Sequence, residues 1–149
     1  MPVIPPFQNK KGVFVVDDTI GISLLIATAF KEKKDKYLVV ASNLFKAQQI
    51  YNLLTQLVGI ENVLLYPADE LLRAESIAQS KEMVAQRLYV LDKIIKGQAK
   101  IVVTNIAGAS RYLPSVELFK DSTFDFEVGK SYDLMEIKKN LLKHGYEAT

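Results

Sequence analysis

Short, continuously apolar runs recur along the chain at residues 13–16 (VFVV), 37–41 (YLVVA), 63–66 (VLLY) and 101–104 (IVVT). A run of this length and β-branched content fits a strand buried on both faces, not one that alternates between core and water. Between the runs, apolar residues recur at helical spacing. A helix is predicted from Thr19, as its cap, to about Lys33. A second follows Ser42 or Asn43, with Leu44, Ala47, Ile50, Leu53, Leu54 and Leu57 on one face, and stops at Gly59. A third runs over 76–95 with Ile77, Val84, Leu88, Leu91 and Ile95 inward, and Gly97 ends it. Doubly buried strands separated by helices predict an α/β fold, a mainly parallel sheet flanked by helices on both sides. In such sheets ligands seat at the carboxyl ends of the strands. Asp17-Asp18, Ser42-Asn43, Pro67 to Asp69 and Thr104-Asn105 all fall there.

The pattern changes after Pro114. Residues 124–128 (FDFEV) alternate as an edge strand would. Asp133 caps a predicted helix ending at Lys143, with Leu134, Ile137, Leu141 and Leu142 inward. The expected division is therefore 1–115 for the α/β domain and 116–149 for the beginning of a smaller α+β domain that is cut short.

Composition removes several classes of chemistry. The 149 residues contain no cysteine and one histidine, His144. Disulfides, thiolate metal sites and any centre needing two histidines are excluded. The formal net charge of +2 gives no general nucleic-acid surface. Lys31, Lys33, Lys34 and Lys36 read as the solvated end of a helix, where cations also suit the dipole. No secretory signal and no membrane-length apolar run is evident, so no membrane partner is expected.

The turn after the first run carries the candidate site. An acid pair there occurs in phosphate-accepting receiver domains, but the third run ends Tyr66-Pro67-Ala68-Asp69, with its acid beyond a proline, and no fifth strand ends in lysine. The phosphate-loop pattern G-x-x-x-x-G-K-[ST], laid on residues 16–23, finds Val16 for the first glycine, Gly21 for the second, Ile22 for the lysine and Ser23 for the magnesium-binding hydroxyl. The position is right and the chemistry is not. Ile22 supplies no charge, Val16 lacks glycine's backbone freedom, and Asp17 and Asp18 stand where a polyphosphate would lie. At about 4 Å one like-charge contact costs a few kcal/mol even at an effective dielectric near 20. Attraction at a helix N-terminus, at most about 2 kcal/mol, does not offset it. The loop therefore reads as emptied, with the aspartates charging the helix start themselves. No catalytic residue, cofactor site or metal site is predicted. Ser23 then reads as a first-turn hydroxyl, Asp69 and Glu70 as capping or solvated acids, and Arg73, Arg87 and Arg111 as surface ion-pair partners. A partner surface would draw on Arg111, Lys138, Lys139 and Lys143.

The order of segments resembles the N-terminal part of the bacterial transcription-repair coupling factors, which is in turn similar to the damage-recognition protein UvrB. The resemblance is carried by "SLLIATAF", "LVVASNLFKAQQIYNLL", "VLLYPADELLRAES", "EMVAQRLYVLDKIIKGQAKIVVTNIAGASRYLPSVELF" and "VGKSYDLMEIKKNLLKHGYE". It implies a RecA-like, helicase-like first domain and a cytoplasmic protein of nucleotide excision repair. It further implies a separate downstream motor that uses ATP and magnesium on DNA and displaces stalled RNA polymerase. The module itself would recruit UvrA, mainly through its second domain, and would contact the rest of its parent to restrain the motor. UvrB carries an intact phosphate loop and a long tyrosine-rich hairpin after its third strand. Residues 66–74 are too few for that hairpin. The alternative, an active UvrB-type helicase domain that hydrolyses ATP, would require the loop to work as it stands.

Overall fold

The computed structural model describes residues 16, 18–69, 81–124 and 126–143. The run at 13–15, Asp17, Glu70, Arg73, the start of the long helix over 76–80, His144 and the Gly145 stop lie outside the described residues. The chain divides into two compact units between Arg111 and Tyr112.

In the first unit the order is α1 (Thr19–Lys33), β1 (Tyr37–Ala41), α2 (Leu44–Val58), a 3₁₀ turn (Ile60–Asn62), β2 (Val63–Tyr66), α3 (Lys81–Ile95), β3 (Ile101–Asn105) and α4 (Ile106–Ala109). The three strands form a parallel sheet in the order β1-β3-β2. Val103 of β3 is in register with Val39 on one side and Leu65 on the other. The fold is therefore α/β with a parallel sheet, as the doubly buried runs require.

Strand alternation sorts the core into two layers. Ile101 and Val103 of β3, Val63 and Leu65 of β2 and Ala41 of β1 face α1 and α2, packing with Ala27, Phe30, Ala47, Ile50 and Leu54. On the other side, Val102 and Tyr66 pack with Val90 of α3 and Ala99. Leu54, Ile101 and Val103 are fully buried, worth roughly 1.5–3 kcal/mol each in transfer from water. The second layer stops short of β1, whose Leu38 and Val40 are 68% and 46% exposed. That edge strand is covered on one face only, against the expectation that every strand would be covered on both.

The helix ends follow from local chemistry. Asp18, extended at φ −135° and ψ 161°, caps α1 by accepting from the Gly21 N–H. Thr19 is the first helical residue and not the cap, because the carboxylate one position earlier already reaches the third helical amide. Asn43 caps α2, accepting from Lys46 N–H at 2.8 Å. Gly59 closes α2 at φ 90°. The lysines at the end of α1 and in the following loop are exposed, as expected of a solvated helix end.

The inward face of α3 differs from the predicted stripe. Arg87 and Val90 are its buried residues, while Leu88 is 51% exposed. The helix is rotated so that the Arg87 guanidinium reaches the Pro67 carbonyl.

In the second unit the described residues hold α5 (Val116–Asp121) and α6 (Leu134–Lys143). Helix α5 was not predicted; Ser115 caps it, accepting from Leu118 N–H at 3.2 Å. No strand forms among the described residues of 124–128. Phe126 stacks edge-to-face on Tyr132 at 5.4 Å, Glu127 N–H donates to the Tyr132 hydroxyl, and Lys130 N–H closes a turn on the Glu127 carbonyl. A strand without a ladder partner leaves its amides unpaired, and these local bonds replace it. Asp133 caps α6 by accepting from Met135 N–H. Ile137 and Leu141 are half-buried, but Leu134 and Leu142 are exposed, against expectation.

Candidate functional site

The carboxyl edge of the sheet gathers the start of α1, the exits of β2 and β3, and α4. At the phosphate-loop position, Val16, Asp18, Ile22 and Ser23 are engaged within the protein. The Gly21 N–H, the donor a phosphate oxygen would take, is bonded by the Asp18 carboxylate. A Cβ built on Gly21 would meet Val16 Cγ1 and Asp18 Oδ1, so the Val16 side chain lies against the one bare backbone position in this turn. Ile22, where a phosphate loop has its lysine, packs against the main core. Ser23 is fully buried, and its hydroxyl donates to the Thr19 carbonyl at 2.8 Å.

A buried polar network fills the neighbouring part of the edge. Asn105 is fully buried; its Nδ2 donates to the Ala68 carbonyl at 2.8 Å and its Oδ1 accepts from Gly108 N–H at 3.2 Å. Thr104, 2% exposed, donates from Oγ1 to the Tyr66 carbonyl at 2.9 Å. Arg87 Nη1 donates to the Pro67 carbonyl at 3.3 Å, and Gln86 Nε2 to the Leu65 carbonyl at 3.2 Å. Four side chains thus satisfy consecutive carbonyls of the chain leaving β2, whose own strand pairing ends at Tyr66. Gly108 is part of this closure, because a Cβ there would run into Thr104 Oγ1 and Asn105 Oδ1.

Arg87 is thus buried, with its guanidinium on the Pro67 carbonyl, and not at the surface as expected from the sequence. Its guanidinium fork and planar charge suit it to bind a carbonyl at a tight exit. Neither the Asn105 network nor the role of Arg87 is legible from spacing alone. The available signal was Asn at the end of a doubly apolar strand, which needs a buried partner for its amide.

Asp69 is exposed. Among the described residues there is no group of three or more His, Cys, Asp or Glu that would hold a metal ion. No described helix is long and apolar enough to cross a membrane. Arg111 lies at the end of the first unit, half-buried, with a buried Nε that has no hydrogen-bond partner among the described residues. Lys138, Lys139 and Lys143 are exposed on α6 of the second unit.

The chain is similar to bacterial proteins named transcription-repair-coupling factor. That of Bacillus subtilis is 34% identical over 125 residues, 84% of this chain. Those of two Staphylococcus aureus strains, RF122 and MRSA252, are 23% identical over 148 residues, 95% of this chain. The chain spans only 11–13% of the length of these curated relatives. The resemblance read from the ordered segments is shown by these matches. No protein-family model matches the chain. No solved structure gives a significant match.

Proposed function

We propose that this chain, akin over most of its length to the transcription-repair coupling factors, is a scaffold and interaction module of transcription-coupled nucleotide excision repair that performs no catalysis itself. One observation carries the reading. At the start of α1 the phosphate-facing donor is bonded to Asp18, and the side chain that stands where lysine is required packs, half-buried, against the core. An anion arriving there meets a carboxylate in front of the helix dipole, and backbone dipoles alone do not offset that repulsion. The edge then serves as a rigid end-plate for the sheet.

In this reading, ATP and magnesium belong to a motor elsewhere in the parent, as do the contacts to DNA and RNA polymerase. The module links polymerase release to recruitment of UvrA, and its own contacts within the parent hold the motor in check. Arg111 and the lysines of α6 are the basic residues offered to such partners. The protein acts in the cytoplasm.

Nitrogen-15 NMR of the chain with ATP and magnesium tests the loop directly. The Gly21, Ile22 and Ser23 amides keep their shifts throughout the titration. Saturable shifts at these amides that vanish in Ser23→Ala would establish the UvrB-type nucleotide-binding alternative instead. For the partner, immobilised UvrA retains a version of the protein extended along its parent and retains this chain weakly. Failure of the extended version to bind would remove UvrA from the proposal.

A further inference from the structure

At the amino edge of the sheet, away from the phosphate-loop position, lies a recess of about 410 Å³. It is bounded by the 3₁₀ turn before β2, the C-terminal half of α3 and the residues that enter β3. Its two lysines are held in an unusual way. Lys93 Nζ donates to Gln98 Oε1 at 2.7 Å, and Lys100 Nζ donates to Asn62 Oδ1 at 2.6 Å. Both acceptors are neutral amides. Each ammonium group has three N–H donors, so one bond orients it while its charge and two donors stay available. Lys96, in the turn just after α3, shows the contrast: it is paired with Asp92 at 3.0 Å.

The supports are themselves fixed. Asn62 donates to the Val58 carbonyl and to Glu61 Oε1, and Gln98 N–H bonds the Lys93 carbonyl at 2.9 Å in the turn that ends α3. The remaining wall is mixed. Tyr89 is 54% exposed with Lys93 Nζ 5.5 Å from its ring centroid, and Ile60 is 70% exposed. Glu61 contributes a carboxylate acceptor.

We propose that this recess binds a nucleoside phosphate, free or as one unit of a single strand. The phosphate lies between Lys93 and Lys100. The base lies against the apolar carbon of Ile60 and the Tyr89 ring, where stacking tolerates any base. The Gln98 side-chain N–H groups and the second oxygen of the Glu61 carboxylate are left for the base edge and ribose hydroxyls. The volume falls within the range of roughly 300–1,000 Å³ usual for small-molecule sites. An acidic peptide fits less well, because its side chains offer no ring to lie against Tyr89 and Ile60. The chain's net charge of +2 does not enter, since the attraction is local to two oriented ammonium groups.

The test is nitrogen-15 NMR and fluorescence anisotropy on the whole chain with three probes: AMP, a short fluorescein-labelled oligothymidylate, and a polyglutamate peptide. AMP or the oligonucleotide shifts the amides of Asn62, Tyr89, Gln98 and Lys100. Binding of both probes identifies a free-nucleotide site, and binding of the oligonucleotide alone identifies a single-strand site. The double variant Lys93→Gln/Lys100→Gln weakens binding on the order of tenfold or more, and Lys46→Gln, exposed on α2, leaves it unchanged. Lys93→Gln alone gives an intermediate loss, and circular dichroism confirms that each variant is folded. The proposal is overturned if neither nucleotide probe binds, if the shifts map elsewhere, if the double variant binds as well as Lys46→Gln, or if polyglutamate binds in preference.

Discussion

At the carboxyl edge of the sheet, Asn105, Thr104, Arg87 and Gln86 are turned onto backbone carbonyls of the chain itself, and Asp18 takes the amide that a ligand would use. At the amino edge, Lys93 and Lys100 are each tethered by a neutral amide and keep most of their donors. The same three strands therefore end in a closed face and an open one. Open α/β sheets ordinarily place ligands at the carboxyl ends of their strands. Here that edge has become structural. On the proposed reading the loop does not meet phosphate, so the scaffold is under no demand to leave donors free there, and its own polar groups fill the edge.

The difference is easiest to break at its most buried residue. Asn105→Ala leaves the Ala68 carbonyl and the Gly108 N–H without their side-chain partner and opens a cavity. The expected cost is about 2–4 kcal/mol. Asn62→Ala, the matching change at the amino edge, removes a half-buried side chain that solvent replaces, and costs under about 1 kcal/mol. Urea denaturation of the two variants checks the contrast, and equal losses would show that the edges are equally closed.

Gly21→Ala gives a test by sign. In the body of a helix, replacing glycine by alanine stabilises by roughly 1 kcal/mol. Here the added methyl meets Val16 Cγ1 and Asp18 Oδ1. The expected outcome is a net loss of about 1 kcal/mol, read from the thermal midpoint. A gain would mean that the space over the first turn of α1 is open, and that the loop is less filled than its side chains indicate. Asp18→Ala follows with a loss of about 1 kcal/mol for the cap.

These residues also mark how far the sequence could be read. The apolar runs at 63–66 and 101–104 announce strands buried on both faces, and the run at 37–41 announces a parallel strand too, although one of its faces is left exposed. Asn43 and Gly59 announce helix ends through chemistry confined to a few neighbouring residues. The mismatch of Ile22 and Val16 with a phosphate loop is visible in the same local way. The closure of the carboxyl edge is not, since Asn105 and Ala68 are brought together only by the pairing of β2 with β3. Arg87 misled for a related reason: a charged residue on a helix reads as solvated until a carbonyl with no ladder partner is found beneath it. Leu134 and Leu142 sit at helical spacing, but a periodic stripe says only that a face is apolar, and in the described second unit it is left in solvent. The amino-edge recess depends on amide partners for lysine, a relation that spacing does not encode.

The smallest expected effect lies at that open edge. Tyr37 begins β1, its N–H donating to the Lys100 carbonyl at 2.8 Å and its ring meeting Phe30 edge-to-face at 6.2 Å. Burial raises its phenol above the ordinary value of 10.0, and the nearby charges of Asp35 and then Glu32 add to the rise. The folded state therefore holds the phenolic proton more tightly than the unfolded chain. Below pH 10.0 both states are neutral and the Tyr37 contribution to stability is fully present. As pH rises past that value the unfolded chain ionises first, and the contribution is lost progressively until the folded phenol ionises too. Tyr37→Phe removes this dependence and keeps the ring contact. Urea midpoints of the two proteins, followed from neutral pH into the alkaline range, thus stay parallel at first. They then separate, with the wild type falling relative to the phenylalanine variant. Curves that remain parallel would place the phenol in free solvent and would make the amino edge at β1 more open still.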